Sequence, residues 1–283
     1  MRIIIGAANF SSKYGINNSK LLSISEIKKI LTYCKKKKIN IIDDAISYKN
    51  SSTVFKKIDT KKFKFISKIR LPKNYKSIKN LKLYFLDQIK DSLKKTGQNK
   101  YSCLLAHEIY QNKKKNIILF DILNFLKKIK LTDKIGISVY SPKEISWILD
   151  FWKPDIIQSP LNIFDQRLAS SGLIDNLTKK GIEIQVRSIF LQGILLNNKP
   201  PIKLKEYNND FKKWNKWCNL NKLRKVEACI HFIKKFNKIA AFIVGINNLK
   251  QLKEIVKYAK QKIIDINYKP ILRKKRIIDP RKW

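Results

Sequence analysis

His107, one of only two histidines in the chain, follows directly on the apolar run Cys103-Leu104-Leu105-Ala106. A short strand that ends on its one polar ring is built to present that ring to a pocket. Two earlier runs end in the same manner: Asn40-Ile41-Ile42 on Asp43, and Phe63-Lys64-Phe65-Ile66-Ser67 on Lys68. An imidazole, a carboxylate and an ammonium at the carboxyl ends of successive short strands, with helical stretches between, are what an active site at the top of a parallel α/β barrel requires. The second histidine, in Cys229-Ile230-His231-Phe232, sits on a helical face without such partners and reads as structural.

The elements that must position these groups alternate along the chain. Strand patterns fall at Ile3 to Gly6, Ile39 to Asp43, Phe63 to Lys68, Ser102 to Ala106, Lys134 to Ser138, Asp155 to Gln158, Ile182 to Val186 and Ala240 to Val244. That is the number which closes a (β/α)8, or TIM, barrel. Ser23-Ile24-Ser25-Glu26 is a capping box that starts the first clear helix, whose apolar stripe is Ile27, Ile30, Leu31 and Cys34. Further helices are predicted at Ile78 to Lys95, Ile117 to Ile129, Pro142 to Phe151, Gly172 to Lys180, Leu220 to Phe236 and Leu249 to Lys260. The one long irregular stretch, Asn197 to Asn209 with Pro200-Pro201, is a lid candidate together with Trp214 and Trp217, because loops of that length in compact domains are usually functional.

Composition bounds the rest. At 283 residues and 44% hydrophobic content the chain suits a single barrel domain over residues 1–283 with a sizeable core. No apolar stretch approaches the ~20 residues of a membrane span, and Met1-Arg2-Ile3-Ile4-Ile5-Gly6 turns polar too soon for a signal peptide. Cys34, Cys103, Cys218 and Cys229 are far apart and form no metal-ligand spacing with the histidines, so they read as reduced thiols of a cytoplasmic protein, with no metal. The formal net charge of +41 would draw polyanions, but the lysines are spread over nearly every helical stretch. Asn and Ile are abundant too and share A/T-rich codons with Lys, so genomic base composition accounts for a solvated basic surface. No nucleic-acid partner is expected.

The segment Ile39-Asn40-Ile41-Ile42-Asp43-Asp44-Ala45-Ile46-Ser47-Tyr48 resembles the "INxIDTAxxYG" signature of the aldo-keto reductases. Further likenesses follow in family order: the strand-end Lys68 and His107, Ile135-Gly136-Ile137-Ser138-Val139-Tyr140 for "IGVSNY", and Ile157 to Asn162 for the "QxxxN" strand. Leu191-Gln192-Gly193-Ile194-Leu195 resembles the "GLL" turn, and Val244 to Leu252 the cofactor-phosphate segment. The resemblance runs from Gly6 to about Glu254. It implies a bacterial-type carbonyl reductase or alcohol dehydrogenase that takes hydride from NADPH or NADH, the choice between NADP and NAD being left open.

Hydride transfer to a carbonyl builds negative charge on oxygen, which must be protonated as the hydride arrives. A free tyrosine, with a pKa near 10, is too weak an acid for this; a neighbouring ammonium lowers it, and a carboxylate keeps that ammonium in place and charged. The resemblance therefore implies Tyr48 as proton donor, Lys68 as its partner, Asp43 as the anchor of Lys68, and His107 as a hydrogen-bonding guide for the substrate oxygen. Each alone has an ordinary reading: aspartates favour turns, tyrosines half-bury, and one lysine among 62 basic residues says little. Their joint order on strand ends carries the weight. The cofactor contacts implied are Gly6, Ala7, Ser138, Gln158, Arg187, Ser188, Leu191, Gly193, Gly245, Asn247 and Gln251.

Several positions depart from the family pattern. Arg187 stands where an aromatic ring commonly lies beneath the nicotinamide, and a guanidinium there favours the reduced, uncharged ring. Lys49 replaces the glycine after the tyrosine, Ser51-Ser52 the usual Ser-Glu pair, and Asp44 the threonine of "DTA". Gly245 and Gln251 replace the basic residues that often hold the cofactor phosphate, with Lys250 and Lys253 near enough to substitute. Asn162 to Arg167 and Arg187 to Gly193 resemble bacterial members found with genes for surface sugars, which implies a sugar-derived carbonyl substrate. Two other classes stay open: a cofactor-binding barrel without turnover, and, on charge alone, a polyanion-binding barrel. No oligomeric state is specified.

Overall fold

The computed structural model describes residues 1–11, 15, 21–48, 51–75, 77–270, 272 and 275–283. Eight strands form a closed barrel in chain order: β1 (Arg2–Gly6), β2 (Ile41–Asp43), β3 (Lys64–Ile69), β4 (Tyr101–Ala106), β5 (Thr132–Ser138), β6 (Ile156–Pro160), β7 (Glu183–Arg187) and β8 (Ala241–Gly245). Each pairs in parallel with the next, and β8 closes on β1 with Arg2 opposite Ala241 and Gly6 opposite Gly245. The expected (β/α)8 architecture is therefore present, with all eight strands where the apolar runs place them.

Side chains alternate across each strand, and this period sorts the barrel into two cores. Ile4, Ile66, Cys103, Leu105, Ile156, Ala241 and Ile243 form a small cluster inside the barrel, with Ile41 packed against it. Their neighbours Ile5, Ile42, Phe65, Leu104, Ile157 and Phe242 belong to the larger cluster shared with the surrounding helices. Adding two residues to an inward-facing position gives the next inward position, one layer higher. From Ile4, Ile41, Ile66, Leu105, Ile156 and Ile243 that step reaches Gly6, Asp43, Lys68, His107, Gln158 and Gly245. The strand period thus gathers the polar groups into one layer at the carboxyl ends.

The helices start where the caps predict. Ser23 and Glu26 form the expected capping box of Ile24–Lys36, and Ser141 and Glu144 form another on Pro142–Leu149. The helix predicted from Leu220 to Phe236 is present as Lys225–Lys234, and a helix not predicted, Asn208–Leu220, ends where the predicted one begins. The lid expected over Asn197 to Asn209 is corrected by the same region. Ile202–Tyr207 forms a 3-10 turn, Leu204, Tyr207 and Trp214 are buried, and no residue of 197–209 lines the central cavity. Trp214 stacks on Trp217 at 5.7 Å, and its Nε1–H donates to the Leu195 carbonyl at 3.0 Å. Phe211, Trp214 and Cys218 are the buried stripe of a helix, and the aromatic area they bury outweighs the polar look of the segment.

Among the described residues no helix is long and apolar enough to cross a membrane, and no cluster of His, Cys, Asp and Glu could hold a metal ion. All four cysteines are free and buried.

Gly136 shows how closely the strands approach within the barrel. A Cβ there would lie 2.1 Å from the Ile156 carbonyl oxygen and 2.7 Å from Leu105 Cδ2, and the first of these is backbone that cannot step aside. Gly136→Ala is expected to destabilise the fold by about 1–3 kcal/mol, as overpacking of a tight core does. Urea unfolding checks it; an unchanged midpoint would show that β5 and β6 can part at no cost.

Candidate active site

At the centre of the upper layer lies a buried ion pair. Lys68, on β3, is 3% exposed and Asp43, at the end of β2, is 6% exposed. The Lys68 ammonium donates to Asp43 Oδ1 and, at 3.0 Å, to the Asp44 carbonyl. Asp43 Oδ2 accepts from Gln158 Nε2 at 2.7 Å, and the same amide reaches Gln185 Oε1 at 3.2 Å. One chain of polar groups thus crosses the barrel from β3 through β2 and β6 to β7. Breaking such a pair by removing one partner costs about 3–5 kcal/mol, since the survivor is a stranded buried charge.

His107 and Tyr48 stand on the wall above this pair. Their rings meet edge to face, 6.0 Å between centroids at 74°. Ser47 Oγ lies 3.3 Å from His107 Nδ1, a hydrogen bond that suits either tautomer of the ring. Burial, and then the charges of Lys68, Arg70 and Arg187, push the His107 pKa down to about 3. The imidazole is neutral at ordinary pH, so it can donate one N–H to an oxygen but is no reservoir of protons.

A cavity of about 340 Å³ opens over these groups. Asp43, Tyr48, Lys68 and His107 all line it, as do Gly6, Ser138, Arg187, Ser188, Gly193, Gly245, Asn247 and Gln251. Ala7, Gln158 and Leu191 do not; each is buried behind the wall. Gln158 lies beneath the cavity with its amide N–H engaged as above, while its Oε1 has no partner among the described residues. Lys49 and the side chains of Ser51 and Ser52 fall outside the described residues.

The loop after β7 has unusual backbone. Ser188, Leu191 and Gln192 have φ of 58°, 48° and 55°, and Gly193 has 91°. Three non-glycine residues in the left-handed region within five positions are costly, and such strain gathers at ligand clamps. The loop is braced from beneath: Asn162 Nδ2 donates to the Ser188 carbonyl at 3.1 Å, and Asn162 Oδ1 accepts from the Phe164 and Asp165 amides.

Several lining residues escaped the sequence reading, among them Asn9, Tyr140, Phe190, Gln192 and Glu254. Tyr140 is the most informative. The Arg187 guanidinium lies over its ring at 4.3 Å from the centroid and that of Arg281 at 3.8 Å. Both guanidiniums are thus within cation–π reach of one ring. Arg187 also donates to the Val139 carbonyl at 2.8 Å and Arg167 to the Tyr140 carbonyl at 2.9 Å. The only signal in the chain was the place of Tyr140 two residues after Ser138; nothing local foretells Arg281, which arrives from the far end.

The closed parallel barrel, with its charged pair beneath a cavity on the carboxyl-end face, places the protein among the (β/α)8 barrel enzymes. Residues 2–273 match the model of the aldo/keto reductase family, and the chain belongs to that family of oxidoreductases. Solved structures similar to it include an aldo-keto reductase from Bacillus halodurans in its holo form, at 16% identity over 93% of this chain and 88% of that one, with a TM-score of 0.74. The glycerol dehydrogenase from Gluconobacter oxydans is similar at 15% identity, covering 93% and 88%, with a TM-score of 0.69. At these identities the likeness is one of fold. No curated protein sequence matches the chain.

The depressed pKa of His107 has a measurable consequence. The unfolded chain protonates the ring near pH 6.5, whereas the folded protein holds it neutral down to about pH 3. Acidification through that window therefore favours the unfolded state. With two histidines to follow, 13C-detected NMR should show the His107 ring neutral at pH 5; a titration midpoint near 6.5 would contradict the burial.

Proposed function

We propose that the protein is a nicotinamide-dependent carbonyl reductase, reducing an aldehyde or ketone to an alcohol. The observation that carries this reading is the buried Lys68–Asp43 pair under a cavity whose wall holds Tyr48 and His107. The surrounding residues fit a dinucleotide. The cavity runs from His107 past the strained 188–193 loop to Gly245, Asn247 and Gln251, and the buried acceptor Gln158 Oε1 has no partner among the described residues. A Cβ at Gly245 would come within 2.8 Å of Asn9 Oδ1, so a side chain there would displace the Asn9 amide at this end of the cleft. When bound, the nicotinamide supplies hydride.

The chain's own residues do the rest. Tyr48 donates its phenolic proton to the oxygen on which negative charge develops. Lys68 stabilises the phenolate left behind, and Asp43, itself held by Gln158, keeps Lys68 charged and in place. His107, with Nδ1 accepting from Ser47, directs Nε2–H at the same oxygen and fixes its angle. Ser138, on the cavity wall, would hold the carboxamide, with Gln158 supporting the site from beneath through Asp43, while Arg187 would flank the ring and favour its uncharged, reduced form. A sugar-derived carbonyl in the cytoplasm suits the segments around Asn162 and Arg187.

Tyr48→Phe is expected to lower turnover by about 100- to 10,000-fold, the usual worth of general acid catalysis, while cofactor affinity holds. Stopped turnover of a panel of aldehydes with fluorescence titration of the cofactor checks both halves. A variant keeping more than about a tenth of parent turnover, a smaller loss than that range allows, would show that a group other than Tyr48 protonates the substrate.

For the cofactor phosphate we propose preference for NADH. The distal end of the cleft is lined by Asn247, Gln251 and Glu254, while Lys250 and Lys253 do not line it. Arg224, at 2.7 Å from Glu254, is paired there. A carboxylate suits a ribose hydroxyl and opposes a phosphate. Fluorescence titration should give a lower Kd for NADH than for NADPH, with Glu254→Gln narrowing the gap; tighter NADPH binding would reverse the assignment.

A further inference from the structure

Beyond His107, on the side away from the 188–193 loop, lies a second cavity of about 610 Å³. Its walls come from the segments that follow β2, β3 and β4, which places it on the same face of the barrel as the active site. The two cavities meet: Lys68 lines both, and Ser47, which lines the second, is hydrogen-bonded at 3.3 Å to His107, which lines the first. A substrate with its carbonyl between Tyr48 and His107 would extend its remaining atoms into this space.

The second cavity is basic in a way that Lys68 does not explain. Lys68 is neutralised by Asp43. Arg70, Lys73 and Lys115 also line it, against one carboxylate, Glu108. Arg70 has no carboxylate within ion-pair distance among the described residues, and its charge reaches His107. The wall that carries these groups is fixed: the Leu71 amide donates to the Tyr110 hydroxyl at 2.9 Å, and Asn116 clamps the Tyr110 backbone with bonds of 2.9 and 2.7 Å. Arginine is scarce in this chain, whose basic residues are overwhelmingly lysine, and its planar fork is the group that grips an oxyanion with two hydrogen bonds.

Building on the proposed carbonyl reduction, we propose that the substrate carries an anionic group, a phosphate or a carboxylate, seated by Arg70 and Lys73 in the second cavity while its carbonyl lies between Tyr48 and His107. The exposed guanidinium of Arg70, which has no carboxylate partner of its own among the described residues, is free to grip an anion, and the junction at Lys68 and Ser47 lets one molecule occupy both cavities. The field of a chain with a net charge of +41 draws anions towards the protein in general, whereas Arg70 gives one of them a fixed place.

The test uses matched substrates. Glyceraldehyde 3-phosphate is compared with glyceraldehyde, and succinic semialdehyde with butanal, on the parent and on Arg70→Gln and Lys73→Gln separately. The anionic member of one pair should be preferred in kcat/KM by roughly tenfold, the worth of one charge-assisted hydrogen bond. Arg70→Gln should collapse that preference through KM, and added salt should erode it in the parent. Which pair responds separates phosphate from carboxylate. Equal kcat/KM within both pairs, or a preference that survives Arg70→Gln, overturns the proposal and leaves the reductase reading intact. If no carbonyl is turned over, the reductase reading fails instead. Calorimetric binding of glycerol 3-phosphate and 4-hydroxybutyrate, against glycerol and butanol, then decides the anion site alone: binding of one anion that Arg70→Gln weakens supports it, and no anion binding ends it.

Discussion

The contact between the Lys68 ammonium and the Asp43 carboxylate is the constraint on which the upper half of the barrel depends. Both charges are nearly sealed from water, and the cost of taking each out of solvent is offset only while the other remains beside it. Further groups complete the arrangement: the Asp44 carbonyl takes a second hydrogen of the ammonium and the Gln158 amide occupies the second carboxylate oxygen. Because these groups come from β2, β3 and β6, any slip of strand register would turn one of them towards the helices and strand the rest. The pair therefore acts as a check on register as well as a charged floor for the cavity.

Above that floor the loops owe their shape to a second set of contacts. Asn162 ties the turn after β6 to Ser188, and Asp165 grips Arg167, whose guanidinium reaches the Tyr140 carbonyl. The Tyr140 ring in turn is contacted by Arg187 and Arg281. The C-terminal residues are brought there by bonds of their own, Ile277 N–H to the Tyr207 hydroxyl and Arg276 to Glu206. The segment expected to be part of a lid is thereby a buttress: its helix buries Trp214, and the 3-10 turn before it supplies the anchors for the chain terminus.

The surplus of positive charge is managed mostly outside the barrel. Pairs such as Lys82 with Asp121, Lys100 with Asp133 and Lys238 with Asp175 are solvent-exposed and contribute little each. The exceptions lie near the site, where Arg70 and Arg187 share the surroundings of one neutral imidazole. Arg70 is solvent-exposed and Arg187 half-buried, so both guanidiniums keep part of their hydration while each faces a cavity.

The eight strands and most of the helices were legible in the chain itself, since burial on a pleated strand or one face of a helix imposes a period that the residues must carry, and the capping box at Ser23 marks a start by local hydrogen bonding alone. The ends of those strands also disclosed Asp43, Lys68 and His107, because a polar residue closing an apolar run is a local pattern. Lys68 meeting Asp43, Gln158 turning its amide on that carboxylate, and Ser47 finding His107 were decided only when the barrel closed. Tyr140 meeting two arginines is the extreme case, for it joins positions 140, 187 and 281 through no periodicity at all. Trp214 shows the converse: its place after a long irregular stretch suggests a lid, whereas contacts with Trp217 and Tyr268 hold it in the interior. Periodic patterns are written locally because each residue meets solvent or core by its own position. Which distant side chains face one another depends on how the strands tilt and close, a property of the whole chain.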